Sequence, residues 1–340
     1  MTKKEEILRF IRKNTSANSQ ELVDHFGISK QAVHKHIKTL VQEQKIIKQG
    51  VTRGAVYIPA SGKQQPPPPT RIRKNLKLDG IEEHEVFKTI DLRASLKSQL
   101  TQQAYAIFKY AFTELLNNAI DHSFSKDCTL QVGVDSYSAS FTIRDFGIGI
   151  FHSIFSKFGL NDEHEALGEL LKGKTTTMRE RHSGEGIFFT SRAADLFVLR
   201  SHAITLVFNN LKNDVFVEQQ RSLKGTEATF SISRSSRRDL SGIFAQFSPE
   251  EFDYRFEKTR VQVKLFHGDY VSRSEAKRLV SGLEKFSEVV LDFTDVASIG
   301  QGFADEIFRV FQVEHPHIRI TSIHANPVVQ QMITHVVDNR

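Results

Sequence analysis

The chain has 340 residues, 39% of them hydrophobic and 25% charged, which is the make-up of a globular protein long enough for two or three separate cores. It contains no apolar run of about eighteen residues and no leader-like N-terminal pattern, and the single Cys128 cannot form an internal disulfide. Membrane insertion and secretion are therefore not expected, and the expected compartment is the cytoplasm. The net charge of +6 is unevenly spread: residues 1–74 carry 15 Lys+Arg against 5 Asp+Glu, and the remainder is net acidic. Such a basic block is either a solvated face or an electrostatic footprint for a polyanion.

In chain order, KKEEILRFIRKN reads as an amphipathic helix with Ile7, Leu8 and Ile11 on one face. SQELVDHFG follows as a short helix capped by Ser19 and ended by Gly27. ISKQAVHKHIKTLVQEQ opens with Ser29 as N-cap and repeats apolar residues at Val33, Ile37, Leu40 and Val41, with a basic face opposite. KIIKQGVTRGAVYIPA then gives two short β-rich runs around Gly50 to Gly54, a hairpin signal. Helix, short helix, basic helix and basic hairpin together resemble the winged helix-turn-helix family. The resemblance implies double-stranded DNA as a partner, with Ser29, Lys30, Gln31, His34 and Lys35 toward the major groove and Lys38 and Arg53 toward phosphates. A protein-interaction module with a soluble face is the alternative.

SGKQQPPPPT, Ser61 to Thr70, holds four consecutive prolines and reads as a stiff extended spacer. Beyond it, the segment around His84 reads as a short β-like run. From Gln103 to Ile120 the pattern is one long helix, apolar nearly all round and hence buried. Its stretch FTELLNNAIDHS places Glu114 and Asn118 at i and i+4, with Asp121 and His122 extending the same face. Unpartnered burial of such groups would be costly, so they are expected to line a polar cavity.

Three glycine-bearing motifs follow in order. SASFTIRDFGIGI is an alternating strand ending in Asp145, then Gly147 and Gly149; HSGEGIFFTSRAAD places Gly184 and Gly186 before a helix; KGTEATFSI sets Gly225 and Thr226 before another strand. The ordered set resembles the ATPase family shared by DNA gyrase, the large heat-shock chaperones, histidine kinases and mismatch-repair proteins. That resemblance implies ATP and Mg²⁺ as cofactors. By motif position, Asn118 would hold the metal and Glu114 would orient the attacking water. Asp145 would accept from the adenine amino group, Gly147 and Gly149 would let the backbone approach the base, and Thr226 would lie near it. Gly184 and Gly186 would open a helix suited to a triphosphate, with Asp121 on the same polar face. No long helical pair with an acceptor His precedes the domain, so a histidine autokinase is not expected.

GELLKGKT, Gly168 to Thr175, satisfies the phosphate-loop pattern, but its context is wrong: a helix runs in and a polar loop runs out. It lies between the two glycine motifs, where Lys172, Lys174 and Thr175 to Thr177 are positioned to touch phosphate. A softer boundary is expected at SRSSRRDLSG, Ser233 to Gly242. From about Arg260 the pattern is strand, helix, strand, helix, strand, helix, with VVLDFTDV as a fully covered strand. This resembles STAS-like domains related to anti-sigma-factor antagonists. The usual phosphoacceptor position falls on Gln301 or Gly302, with Ser298 just before it.

The expected fold is a multidomain α/β chain: a winged helix over 1–60, a linker over 61–74, a two-layer histidine-kinase-like ATPase sandwich over 75–240, and a STAS-like α/β domain over 255–340. The expected function is a DNA-binding transcriptional regulator switched by Mg-ATP, with slow hydrolysis aided by Glu114, acting in cis or as a homodimer. The alternative is a serine/threonine kinase of the anti-sigma-factor type acting on a STAS-like partner.

Overall fold

The computed structural model describes residues 2–14, 16–43, 45–49, 56–60, 70–174, 185–248, 255–266 and 268–338. Arg53, Gly184, Thr175 to Thr177, the turn from Gly50 to Gly54 and the prolines of the spacer lie outside the described residues. The chain divides into two compact units, the first made of residues 1–69 with 134–138 and the second of residues 70–133 and 139–340. No described helix is long and apolar enough to cross a membrane.

The first unit runs α1 (Lys3–Lys13), β1 (Ala17–Asn18), α2 (Ser19–Phe26), α3 (Lys30–Gln42), β2 (Ile46–Gln49) and β3 (Val56–Pro59). A capping box between Thr2 and Glu5 starts α1. The second helix is capped one residue earlier than expected. Asn18 Oδ1 accepts from the Gln20 and Glu21 amides at 2.8 and 2.9 Å, and Glu21 returns the bond to the Asn18 amide, so Ser19 is already helical. Gly27 ends α2 at φ 61, and Ser29 Oγ caps α3 by accepting from Ala32 N–H at 3.2 Å. Ile7, Ile11, Leu22, Val33, Ile37 and Leu40 form the core with Tyr57. Val41 does not join them; it is 37% exposed, because the apolar stripe closes at Leu40. The hairpin strands β2 and β3 pair antiparallel, and β1 pairs with β3 as a third strand that was not anticipated.

The second unit begins with β4 (Thr70–Lys77), so residues 70–74 belong to a sheet rather than to a spacer. Then come α4 (Glu83–Ala94), α5 (Leu96–Gln99), α6 (Gln102–His122), β5 (Asp127–Val134) and β6 (Ser138–Asp145). After these run α7 (Ile150–Phe158), α8 (Glu163–Lys172), α9 (Gly186–Ala193) and the long strands β7 (Leu196–Asn209) and β8 (Asp214–Ser233). The strand order is β4-β5-β6-β8-β7. His84 lies in α4, not in a strand, because Val86, Phe87, Ile90 and Ala94 bury at helical spacing. Helix α6 lies on the sheet through an aromatic cluster: the Phe108 and Phe112 rings meet Phe141 at 5.1 and 5.3 Å, and Phe141 stacks on Phe230 at 5.3 Å.

The chain continues through α10 (Leu240–Ala245) to β9 (Lys258–Gln262), α11 (Arg273–Val280), β10 (Glu288–Asp292), α12 (Gln301–Asp305), a π-helical turn (Glu306–Phe311), α13 (Gln312–Glu314), β11 (Arg319–Ile323) and α14 (Pro327–Asp338). Strands β9, β10 and β11 form a parallel sheet with β10 in the centre and buried along its whole length. The expected boundary at Ser233 to Gly242 does not separate this part from the sheet before it. Phe244 packs on Phe189 at 4.3 Å, Phe256 on Phe188 at 4.6 Å and on Phe286 at 5.4 Å, so one aromatic seam joins α9, α10 and the C-terminal segment.

Candidate functional site

Helix α6 presents Glu114, Asn118, Asp121 and His122 on one face, all partly buried. Asn118 Nδ2 is buried and has no hydrogen-bond partner among the described residues. Buried carboxamide donors are nearly always paired, so this atom marks a position that calls for a polar partner. A half-turn of the amide exchanges its nitrogen and oxygen, and the same pole can therefore present a donor or an acceptor. One helical turn earlier, Glu114 stands against the start of α9. A Cβ built on Gly186 would lie 2.0 Å from Glu114 Oε2, so a larger residue there would have to push the Glu114 carboxylate aside. The carboxylate thus meets the positive end of a helix, a favourable placement. Tyr110, half-buried beside Glu114 and Glu185, has its phenol pushed up by desolvation and then by those two charges.

Asp145 ends β6, and Gly225 and Thr226 reach it from β8. Asp145 Oδ1 accepts from the amides of Gly147 at 3.0 Å and Thr226 at 3.1 Å. Burial pushes the Asp145 carboxyl above its ordinary value, against the pull of these amides. A Cβ on Gly225, at φ 82, would meet the Asp145 carbonyl oxygen at 2.3 Å. Thr226 Oγ1 accepts from the Ile150 amide at 3.0 Å, tying β8 to the start of α7.

Gly147 and Gly149 are also required by the fold itself. A Cβ on Gly147 would stand 1.7 Å from the Ser123 carbonyl oxygen, and one on Gly149, at φ 84, would stand 2.5 Å from Ser201 Oγ. Their glycine character is demanded by the protein's own close packing around the loop. Ser123 was missed by sequence reasoning, although its carbonyl also receives the Ile148 amide at 3.0 Å. Also missed was the group beside Gly149, where His202 Nδ1 and Glu163 Oε1 lie 2.6 Å apart and His152 is 3.5 Å from the same oxygen.

Lys174 contacts the C-terminal segment. Its ammonium donates to the Lys285 carbonyl at 2.9 Å, lies 3.1 Å from Glu257 Oε1 and sits over the Phe286 ring at 4.9 Å. The cause is Gly173 at φ 87, wedged so that a Cβ would meet Phe188 and Phe256 at 2.8 Å. Lys172 is almost fully buried and donates to Glu169 Oε1 and to the carbonyls of Arg278 and Ser281 at 2.6, 3.2 and 2.6 Å. Both lysines of the phosphate-loop-like pattern are thus committed to the C-terminal segment in the contacts described.

On the first unit, Ser29, Lys30, Gln31, His34, Lys35 and Lys38 are all exposed on α3, opposite the buried Val33, Ile37 and Leu40. No carboxylate forms an ion pair with Lys30, Lys35 or Lys38 among the described residues, which leaves a cationic helix face.

A family described as an HTH domain matches residues 3–49, and a family described as a STAS-like domain of unknown function matches residues 275–330. The chain carries a helix-turn-helix domain and a STAS-like domain. The two matched segments leave residues 50–274, with the α6 site, outside them. No curated protein matches the chain. A solved structure described as a GntR-family transcriptional regulator aligns over 63% of this chain and 82% of its own at 9% identity and a TM-score of 0.11, a likeness that carries no argument.

Proposed function

We propose that the protein is a DNA-binding transcriptional regulator whose central domain binds Mg-ATP in the manner of the gyrase and histidine-kinase type ATPases. The observation that carries the nucleotide reading is the buried, unpartnered carboxamide end of Asn118, one turn beyond Glu114. The residues fit the ligand. The Asn118 carboxamide is a hard oxygen donor of the kind Mg²⁺ takes, and Asp145 is a desolvated carboxyl held by two backbone amides. When bound, Mg-ATP supplies a neutralised triphosphate with a cleavable anhydride. Asn118 would hold the metal and Asp145 would accept from the adenine amino group, while Thr226 keeps Asp145 and the start of α7 in register. Glu114 would orient the attacking water, and slow hydrolysis would be the reset step.

The helix-turn-helix domain supports the DNA reading through its exposed basic α3 face. In a homodimer, a nucleotide-driven change in the central domain would alter how two such domains meet an operator.

Calorimetric titration of the full chain with ATP and Mg²⁺ tests the nucleotide reading. Saturable heat in the wild type that is lost in both Asp145→Ala and Asn118→Ala supports it; no heat in the wild type, or equal heat in both variants, overturns it. Radiolabelled ATP separates the two catalytic outcomes: free phosphate marks the switch, and labelled protein marks the kinase.

A further inference from the structure

The C-terminal end of α9, the β7–β8 turn, the start of α10 and strand β9 enclose a cleft of about 470 Å³. Three arginines line it, Arg192, Arg238 and Arg260, with Asp239 as the acid among its described lining residues. Most of these charges are already committed. Arg238 pairs with Asp195 at 3.3 Å and donates to the Ala194 carbonyl. Arg260 donates through Nε and Nη2 to Asp292 Oδ2 at 3.1 and 2.6 Å. Asp239 is spent on its own helix, where Oδ2 accepts from the Gly242 amide at 3.0 Å and from Ser241 Oγ.

Arg192 differs. Its Nη1 donates to the Phe188 carbonyl at 3.1 Å and to Ser191 Oγ at 3.3 Å, and its guanidinium lies on the Phe188 ring, 3.3 Å from the centroid. No carboxylate among the described residues comes within ion-pair distance of it. Burial, and then the charge of Arg260, pull its pKa down to about 9. A desolvated guanidinium held beside another cation is costly unless an anion faces it, and its planar fork is shaped for a carboxylate or phosphate edge. Gln262, on the same cleft wall, has its side-chain Oε1 buried without a partner.

We propose that this cleft is a binding site for a small anion, a carboxylate or a phosphate, seated on the free edge of the Arg192 guanidinium, with the Gln262 carboxamide turned so that its amide nitrogen, rather than its oxygen, donates to the anion. The site stands on residues that the Mg-ATP reading does not use, and its occupancy is independent of that reading.

The experiment uses the full chain at constant ionic strength, with inorganic phosphate and citrate titrated in separate arms and chloride as the control, followed by melting temperature and calorimetry. The expected result is saturable stabilisation by at least one anion, with phosphate alone or citrate alone identifying the headgroup class. Binding should weaken about tenfold or more in Arg192→Met and measurably in Gln262→Leu, and persist in Asn118→Ala, which separates it from the α6 site. The proposal is overturned if neither anion stabilises the wild type saturably, or if its effect survives intact in both Arg192→Met and Gln262→Leu.

Discussion

Lys172 Nζ donates to the main-chain carbonyl of Ser281 at 2.6 Å, a bond spanning 109 residues that fastens the end of α8 to the segment after α11. With Glu169 and the Arg278 carbonyl it gives the buried ammonium three acceptors, although burial still lowers its pKa. Lys172→Met removes the donor from three acceptors at once. Such a change is expected to cost about 3 kcal/mol. A urea midpoint equal to that of the wild type would show that the ammonium contributes nothing to holding these segments together.

Burial raises the Asp145 carboxyl in the folded chain above its unfolded value. The folded state therefore keeps the proton to higher pH; the carboxyl favours folding fully below the unfolded value, and that contribution is lost as pH rises through the raised one. Asp145→Asn keeps Oδ1 as acceptor for the Gly147 and Thr226 amides. It should raise the melting temperature relative to wild type at mildly alkaline pH and not at acidic pH, while weakening ATP binding about tenfold or more. Melting scans at the two pH values, with a titration alongside, separate the two effects.

On α3, Lys38 and Gln31 are assigned different tasks, backbone attraction and base reading. Lys38→Ala should weaken binding to all duplexes and reduce the slope of log K against log salt by about 0.9. Gln31→Ala should leave that slope unchanged and relax the choice of base at one position, at a cost of about 1–3 kcal/mol. Anisotropy titrations over a salt series, on an operator selected from a random pool, distinguish them; identical slopes for wild type and Lys38→Ala would place Lys38 off the phosphates.

The cap of α2 offers a clean stability comparison. Asn18→Ala removes the acceptor of two amide bonds and should cost about 1 kcal/mol. Ser19→Ala, one residue on and already inside the helix, should stay within about 0.5 kcal/mol of wild type. Equal losses in a calorimetric scan would return the cap to Ser19.

Strong periodic signals were readable in the residues alone. The long helix α6, although it buries one stripe and leaves Gln103, Ala106 and Lys109 exposed instead of being covered all round, the ordered motifs at Asp145, Gly186 and Thr226, the covered strand β10 and the cationic face of α3 all depend on neighbours close in sequence. What escaped depends on distant partners. Position alone put residues 70–74 in a spacer, but their place in β4 is set by pairing in the sheet. The roles of Gly147 and Gly149 become visible only when Ser123 and Ser201 stand against them. Lys174 reads as a phosphate ligand until the Phe256 and Phe286 rings and the Lys285 carbonyl are seen around it. The aromatic seam has no local pattern at all, since its members come from α9, α10 and segments dozens of residues beyond.

That seam bears on how the chain tolerates cutting. Phe188 and Phe189 on α9 are covered by Phe244, Phe247 and Phe256, which lie after the last strand of the five-stranded sheet. A fragment ending at Ser233 would expose two greasy rings side by side to water, and a fragment starting near Lys258 would lose the other half of the same surface. Proteolytic trimming should therefore yield either the intact partnership or precipitate, and the two halves share their solubility as they share their core.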